Sequence, residues 1–167
     1  MSQTMRTTVT LLVLGALLAV AAVWGWHATM KPLPAKVDSP ICVDTDVKAG
    51  EKVFPQQVVV SVYNASDREG LASRSMDLLA DEGFVKGQAG NAPNAKVSTA
   101  AIWSTEPESP DVRLVASYLG PDVDVERREG VGVGVTVVVG DLFKELSAGR
   151  RAVRAKDDAQ ICSPPIS

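Results

Sequence analysis

The stretch Val58–Gly83, VVVSVYNASDREGLASRSMDLLADEG, decides how the chain folds. Val58 to Tyr63 is a short apolar run rich in β-branched side chains, the composition of a buried strand. Asn64-Ala65-Ser66 then marks a turn. Ser66 and Glu69 have the spacing of a capping box, in which a hydroxyl takes a helix N–H and a carboxylate reaches back. Beyond it Leu71, Ala72, Met76 and Leu79 keep near-helical spacing, and Gly83 supplies a left-handed stop. The stretch predicts strand, tight turn and helix. A helix N-terminus attracts anions, but Asp67 and Glu69 in the expected first turn would repel a phosphate. The unit therefore reads as a core element.

Downstream, Phe84–Ala89 predicts a second strand loosened by Gly87, and Gly90–Asn94 a connection of turn formers. Val97–Ser104 predicts a third strand with Ile102 and Trp103 on opposite faces. Ser109-Pro110-Asp111 has cap, proline and acid in order for a helix start. Val112, Val115, Ala116 and Leu119 form that helix's apolar face, and Gly120 ends it. Val123–Arg127 alternates as an exposed strand does, and Val135–Val139 reads as a central strand buried on both faces. The glycines of GVGVGVTVVVGD, residues 130–141, precede a strand, whereas a dinucleotide loop needs them after a strand and opening a helix. Leu142, Phe143 and Leu146 predict a short last helix ended by Gly149. The expected fold is α/β, a mixed sheet of about five strands with two main helices packed on one face. Strand–helix–strand segments call for parallel neighbours, and the short connections Gly87–Asn94 and Gly130–Gly134 suit antiparallel returns.

Upstream, no residue from Thr7 to Trp26 is charged. About twenty helical residues match a bilayer core, and Trp24 and Trp26 stand where interfacial anchors sit. The expectation is a single transmembrane helix over residues 7–27 behind a cytoplasmic tail of residues 1–6. A cleaved signal peptide is the rival, since Ala19-Val20-Ala21 has the small-x-small form; the apolar run continues past that site and favours a retained anchor. Arg6 against Lys31 and Lys36 leaves the charge rule balanced. The two cysteines, Cys42 and Cys162, decide orientation: paired, they indicate an oxidising compartment, with two unrelated free thiols as the alternative. The chain is then expected in the plasma membrane, N-terminus cytoplasmic and domain extracytoplasmic. A proline-bearing stalk spans 28–52, the module 53–146, and a tail 147–167 is tied back by the disulfide.

A net charge of -3 argues against nucleic acid as partner. One histidine, His27, and two cysteines exclude most metal centres and most histidine-based catalysis, and no cofactor is expected. Arg150, Arg151 and Arg154, joined by Lys156, are candidate binding residues for anionic wall polymer or lipid head groups. Asp157 and Asp158 follow directly, as on an ordinary solvated face. Paired carboxylates drawn from Asp111, Asp122, Asp124 and Glu126 are the one catalytic arrangement open to the chain, although Asp111 is explained by the helix start.

Several joints resemble those of the LytR C-terminal domain family: VYNAS at 62–66, EGLA at 69–72, EGF at 82–84, AGNA at 89–92, SYLG at 117–120 and VTVVVGD at 135–141. The likeness covers about Val58 to Asp141. That family often follows a LytR-CpsA-Psr catalytic domain, which has no counterpart in the short segment between anchor and module. The resemblance thus implies a stand-alone, membrane-tethered actinobacterial envelope protein, similar to mycobacterial envelope-integrity proteins, with no catalytic residues to carry over. The function expected is a noncatalytic module supporting the cell envelope by binding wall polymer, envelope lipid or another membrane protein. The alternative is an enzyme modifying wall polymers through paired carboxylates.

Overall fold

The computed structural model describes residues 3–29 and 41–165. It contains two compact units, Met1–Asp38 and Ser39–Ser167. The first is helix α1, Gln3–Thr29. Its leucines are exposed around the helix, Leu11, Leu12 and Leu18 among them. A transmembrane helix was expected over 7–27, yet among the described residues no helix is long and apolar enough to cross a membrane. Residues 1–2 of the expected tail and the expected proline-bearing stalk at 30–40 lie outside the described residues.

The second unit is built on a five-stranded sheet in the order β4-β3-β7-β5-β6. Its strands are β3 (Val59–Asn64), β4 (Val85–Asn91), β5 (Ala100–Ser104), β6 (Asp124–Arg127) and β7 (Val135–Val139). Strand β3 is parallel to β4 and β7, β5 is parallel to β6, and β5 meets β7 antiparallel. The mixed sheet and the central, doubly buried β7 are as expected. Residues 87–91 of the connection expected at Gly87–Asn94 belong to strand β4; the chain does reverse direction after β4 and after β6, but neither connection makes a hairpin. The chain from β4 passes β3 and β7 to reach β5, and the chain from β6 passes β5 to reach β7.

Helices α2 (Leu71–Asp81) and α3 (Pro110–Leu119) share one core with the same sheet face. Met76 and Leu79 of α2, and Val112, Val115 and Leu119 of α3, join Val60, Val62, Ile102, Val135 and Val137 there. Gly83 closes α2 with φ 97°. Its N–H donates to the Ala80 carbonyl at 2.9 Å and the Phe84 N–H to that of Leu79 at 3.1 Å, a Schellman closure. Phe84 then meets Tyr118 of α3 edge-on, ring centroids 5.1 Å apart.

Trp103 lies on the other face, as its alternation with Ile102 requires, and clusters with Tyr63 and Val138. Loops cover this face. The run 130–134 is a bent loop, and close approach explains its glycines, Gly134 also taking the left-handed conformation at φ 70°. A Cβ at Gly130 would stand 2.6 Å from Thr136 Oγ1, one at Gly132 2.6 Å from the Ser61 Cβ, and one at Gly134 would overlap the Val59 carbonyl. Val131, between them, is exposed. Gly87 sits where the β3–β4 register shifts, and the Ser61 hydroxyl accepts the Gln88 N–H at 3.0 Å there, standing in for a ladder bond.

Three sequence expectations change. The stalk was expected to run to residue 52, but β1 (Val43–Val47) and β2 (Lys52–Val53) form within and at the end of it. They pair antiparallel with β9 (Ala159–Ser163) and β8 (Val153–Arg154), so the expected tail is strand as well. Val53, Val153, Ala155 and Ile161 enter the main core beside α3, which is why Leu114 and Tyr118, off its expected stripe, are buried too. Residues 142–146 form a turn and irregular chain, without the expected helix. Phe143 is nevertheless buried, and the Ser147 N–H donates to the Tyr118 carbonyl at 2.7 Å. The capping box at Ser66 is also absent, for reasons given below. Cys42 and Cys162 are joined as a disulfide with Cα atoms 5.4 Å apart, well inside bridging range.

Candidate functional site

Parallel strands leave a crevice at their carboxyl ends, where open α/β sheets place ligands. Here β3 and β4 end in Asn64 and Asn91, and a cleft of ≈440 Å³ is lined by residues 64–70, Asn91 and Pro93. Asn64 organises it. Its Oδ1 accepts the Ser66 N–H at 2.9 Å and the Ser66 hydroxyl at 2.8 Å, and its Nδ2 donates to the Arg68 carbonyl at 2.7 Å. The Ser66 hydroxyl in turn accepts the Arg68 N–H at 3.1 Å. Ser66 is therefore bound into a loop, and the helix begins only at Leu71 after Gly70 with φ 69°. That left-handed residue interrupts any helical path from Ser66, so Asp67 and Glu69 are exposed loop residues and no acid lies in the first turn of α2. Both acids still line the cleft. The Arg68 guanidinium is bound to the carbonyls of Asp141 and Phe143 at 3.0 and 2.7 Å. Such a cleft suits a neutral polar or cationic group better than an anion.

The four candidate acids are held by different parts of the chain. Asp111 is buried at the start of α3, where its Oδ1 accepts the Ser109 hydroxyl and, at 2.9 Å, the Val112 N–H. Burial raises its pKa, and those two hydrogen bonds oppose the rise. Asp122 and Asp124 are exposed at the β6 edge, and Glu126 pairs with Arg128 at 3.5 Å. Among the described residues no group of three or more His, Cys, Asp or Glu could hold a metal ion.

The candidate arginines run along the chain that returns beside α3. Arg154 lies in β8, its Nη1 donates to the Gly50 carbonyl at 2.7 Å, and its own carbonyl accepts Arg113 Nη1 at 3.1 Å. The Arg150 N–H donates to Ser117 Oγ at 3.0 Å, while the side chains of Arg150 and Arg151 are exposed. Lys156 pairs with Glu108 at 2.8 Å, and Asp158 with Lys48 at 3.2 Å. Arg154 and Lys156 thus stitch the terminal strands in place, and Arg150 and Arg151 are the arginines left open to a ligand. Only Val153 and Ala155, alternating with Arg154, hinted at its strand character.

The family model described as LytR cell envelope-related transcriptional attenuator matches residues 57–143, more than half of the chain. The chain belongs to the LytR_C family, as its motifs had suggested. The soluble domain of a conserved hypothetical secreted protein from Mycobacterium marinum is similar at 23% identity and TM-score 0.44, over 61% of this chain and 78% of that one. The C-terminal domain of RV0431 is similar at 26% identity and TM-score 0.34, over 66% and 89%. No curated protein matches the chain significantly.

Proposed function

We propose that this chain is a membrane-tethered, extracytoplasmic, noncatalytic module that supports the cell envelope by binding an envelope component or a membrane-protein partner. The observation that carries the reading is the union of a charge-free N-terminal helix with a disulfide-closed domain. From Thr7 to Trp26 the 27-residue helix α1 holds no charged residue, and a helix apolar all round needs an apolar medium to cover it. The disulfide favours an oxidising compartment for the domain, and membership of an envelope-related family points the same way. Residues 30–40 then serve as the link between anchor and module.

Topology and partnership are tested together. A reporter that folds only in the cytoplasm, fused after Ser167, should be inactive, and both cysteines of protein isolated from its own envelope should resist maleimide until reduced. Crosslinking in intact envelope, followed by purification of the full chain, should capture a defined wall polymer, lipid or membrane protein. An active cytoplasmic reporter would reverse the topology.

A further inference from the structure

Between α2 and the segment after β7 lies a second concavity, of ≈340 Å³, at the lower end of small-molecule sites. Leu71, Leu78 and Phe143 give it apolar walls, and exposed Leu142 adjoins it in sequence. Two observations separate it from an ordinary surface fold. Ser75 also lines it, and the Ser75 Oγ is buried without a hydrogen-bond partner, an arrangement that folded chains avoid unless something supplies the missing bond. The charges are the second. The chain is acidic overall, net -3, yet this groove is bordered by Arg68, Arg74 and Lys144. Its one acid, Asp77, is already paired with Lys86 at 2.6 Å.

We propose that this groove binds an anionic phospholipid. One acyl chain lies on Leu71, Leu78 and Phe143. The phosphate meets the cationic border, and an ester carbonyl accepts the Ser75 hydroxyl. A helix of ~10 Å diameter would not enter a space of this volume, whereas a single hydrocarbon chain does. The assignment rests on the binding reading above and names the ligand class for it.

The test uses the full chain in nonionic detergent with a lysophosphatidylglycerol carrying a photoactivatable diazirine on its acyl chain, adducts being mapped on peptides. Adducts are expected within 68–78 and 142–144, suppressed by unlabelled lysophosphatidylglycerol and not by glycerol 3-phosphate. Lysophosphatidylcholine keeps the phosphate but adds a choline cation that the cationic border repels, and should compete roughly tenfold more weakly. The double variant Arg74→Glu, Lys144→Glu removes one exposed Arg74 bond to the Glu69 carbonyl and should label roughly tenfold less with melting lowered by no more than about 5 °C; Leu78→Trp, which fills the groove, should also label roughly tenfold less. Adducts confined to α1, equal competition by lysophosphatidylcholine, or competition by glycerol 3-phosphate alone would each overturn the proposal. If groove labelling fails while crosslinking in envelope still captures a partner, the lipid assignment falls and the binding module stands.

Discussion

Replacing both Cys42 and Cys162 by serine removes a bridge whose ends are 120 residues apart. Chain-entropy reasoning assigns a closed loop of that length about 4.9 kcal/mol at 25 °C, through restriction of the unfolded chain. The folded state keeps much of what surrounds the bridge. The β1–β9 ladder from Val43↔Ser163 to Val47↔Ala159 needs no sulfur, Ile161 stays buried, and Ser163 Oγ still donates to the Gln57 carbonyl at 2.7 Å. The double variant should therefore fold to the same structure and lose roughly 3–5 kcal/mol, a fall in melting temperature on the order of 15 °C. Urea unfolding of the full chain in detergent, followed by near-ultraviolet circular dichroism, measures the loss. The unfolded variant, freed of its crosslink, should also expand and raise the denaturant slope. A loss below about 1 kcal/mol, with the parent confirmed oxidised, would refute the claim that the bridge holds the terminal strands by limiting the unfolded chain.

Gly134→Ala should cost about 2–4 kcal/mol by urea titration, because its φ of 70° is unfavourable for alanine and its Cβ would overlap the Val59 carbonyl. Gly50→Ala is the control: φ is 84° but nothing lies near its Cβ, so about 1 kcal/mol is expected. For Asp111, burial raises the folded-state pKa above the ordinary carboxylate range, so the folded chain holds that proton more tightly than the unfolded chain. The stability from Asp111 is thus present in acid and is lost as pH rises from about 4 through the raised folded value. Asp111→Asn keeps an acceptor for Ser109 and Val112 and should abolish that part of the slope, read as melting temperature against pH. The exposed Glu108 and Asp158, lowered chiefly by hydrogen bonds to Lys156 and to the Ala49 N–H, act in the opposite sense and persist in the variant.

The strand–helix units were legible because their signals are local. Pro110 and Asp111 start α3 and Gly120 ends it, although the Ser109 side chain makes no cap hydrogen bond and donates to Asp111 instead, and the Val112–Val115–Leu119 stripe faces the sheet. The terminal pairs were illegible for the opposite reason. VDTDV carries two aspartates, and β2 and β8 are two residues each, too short for any periodicity to register. Their strand character exists only in the partner segment more than a hundred residues away. The cysteine pair was a first long-range sign of that closure. Leu114 and Tyr118 were a second, since an i, i+4 apolar pair outside the main stripe needs its own cover.

At the turn before α2, local signals misled for the same reason. Ser66-x-x-Glu69 satisfies the capping pattern, but whether it caps depends on Gly70, which here takes the left-handed conformation. Once it does, Arg68 is released from helical geometry and its guanidinium reaches the Asp141 and Phe143 carbonyls. Those two bonds pin the segment after β7 beside α2. That segment cannot also be the short helix its leucines suggested, since two of its first carbonyls point to an arginine. The groove with Ser75 and Lys144 follows from this one arginine. Arg68 thus has two roles, holding the groove's far wall through Nη1, which donates to both carbonyls, and bordering its opening; Arg68→Lys keeps the charge, but one ammonium on a shorter stem cannot hold both carbonyls and also keep the guanidinium's remaining donors at the opening.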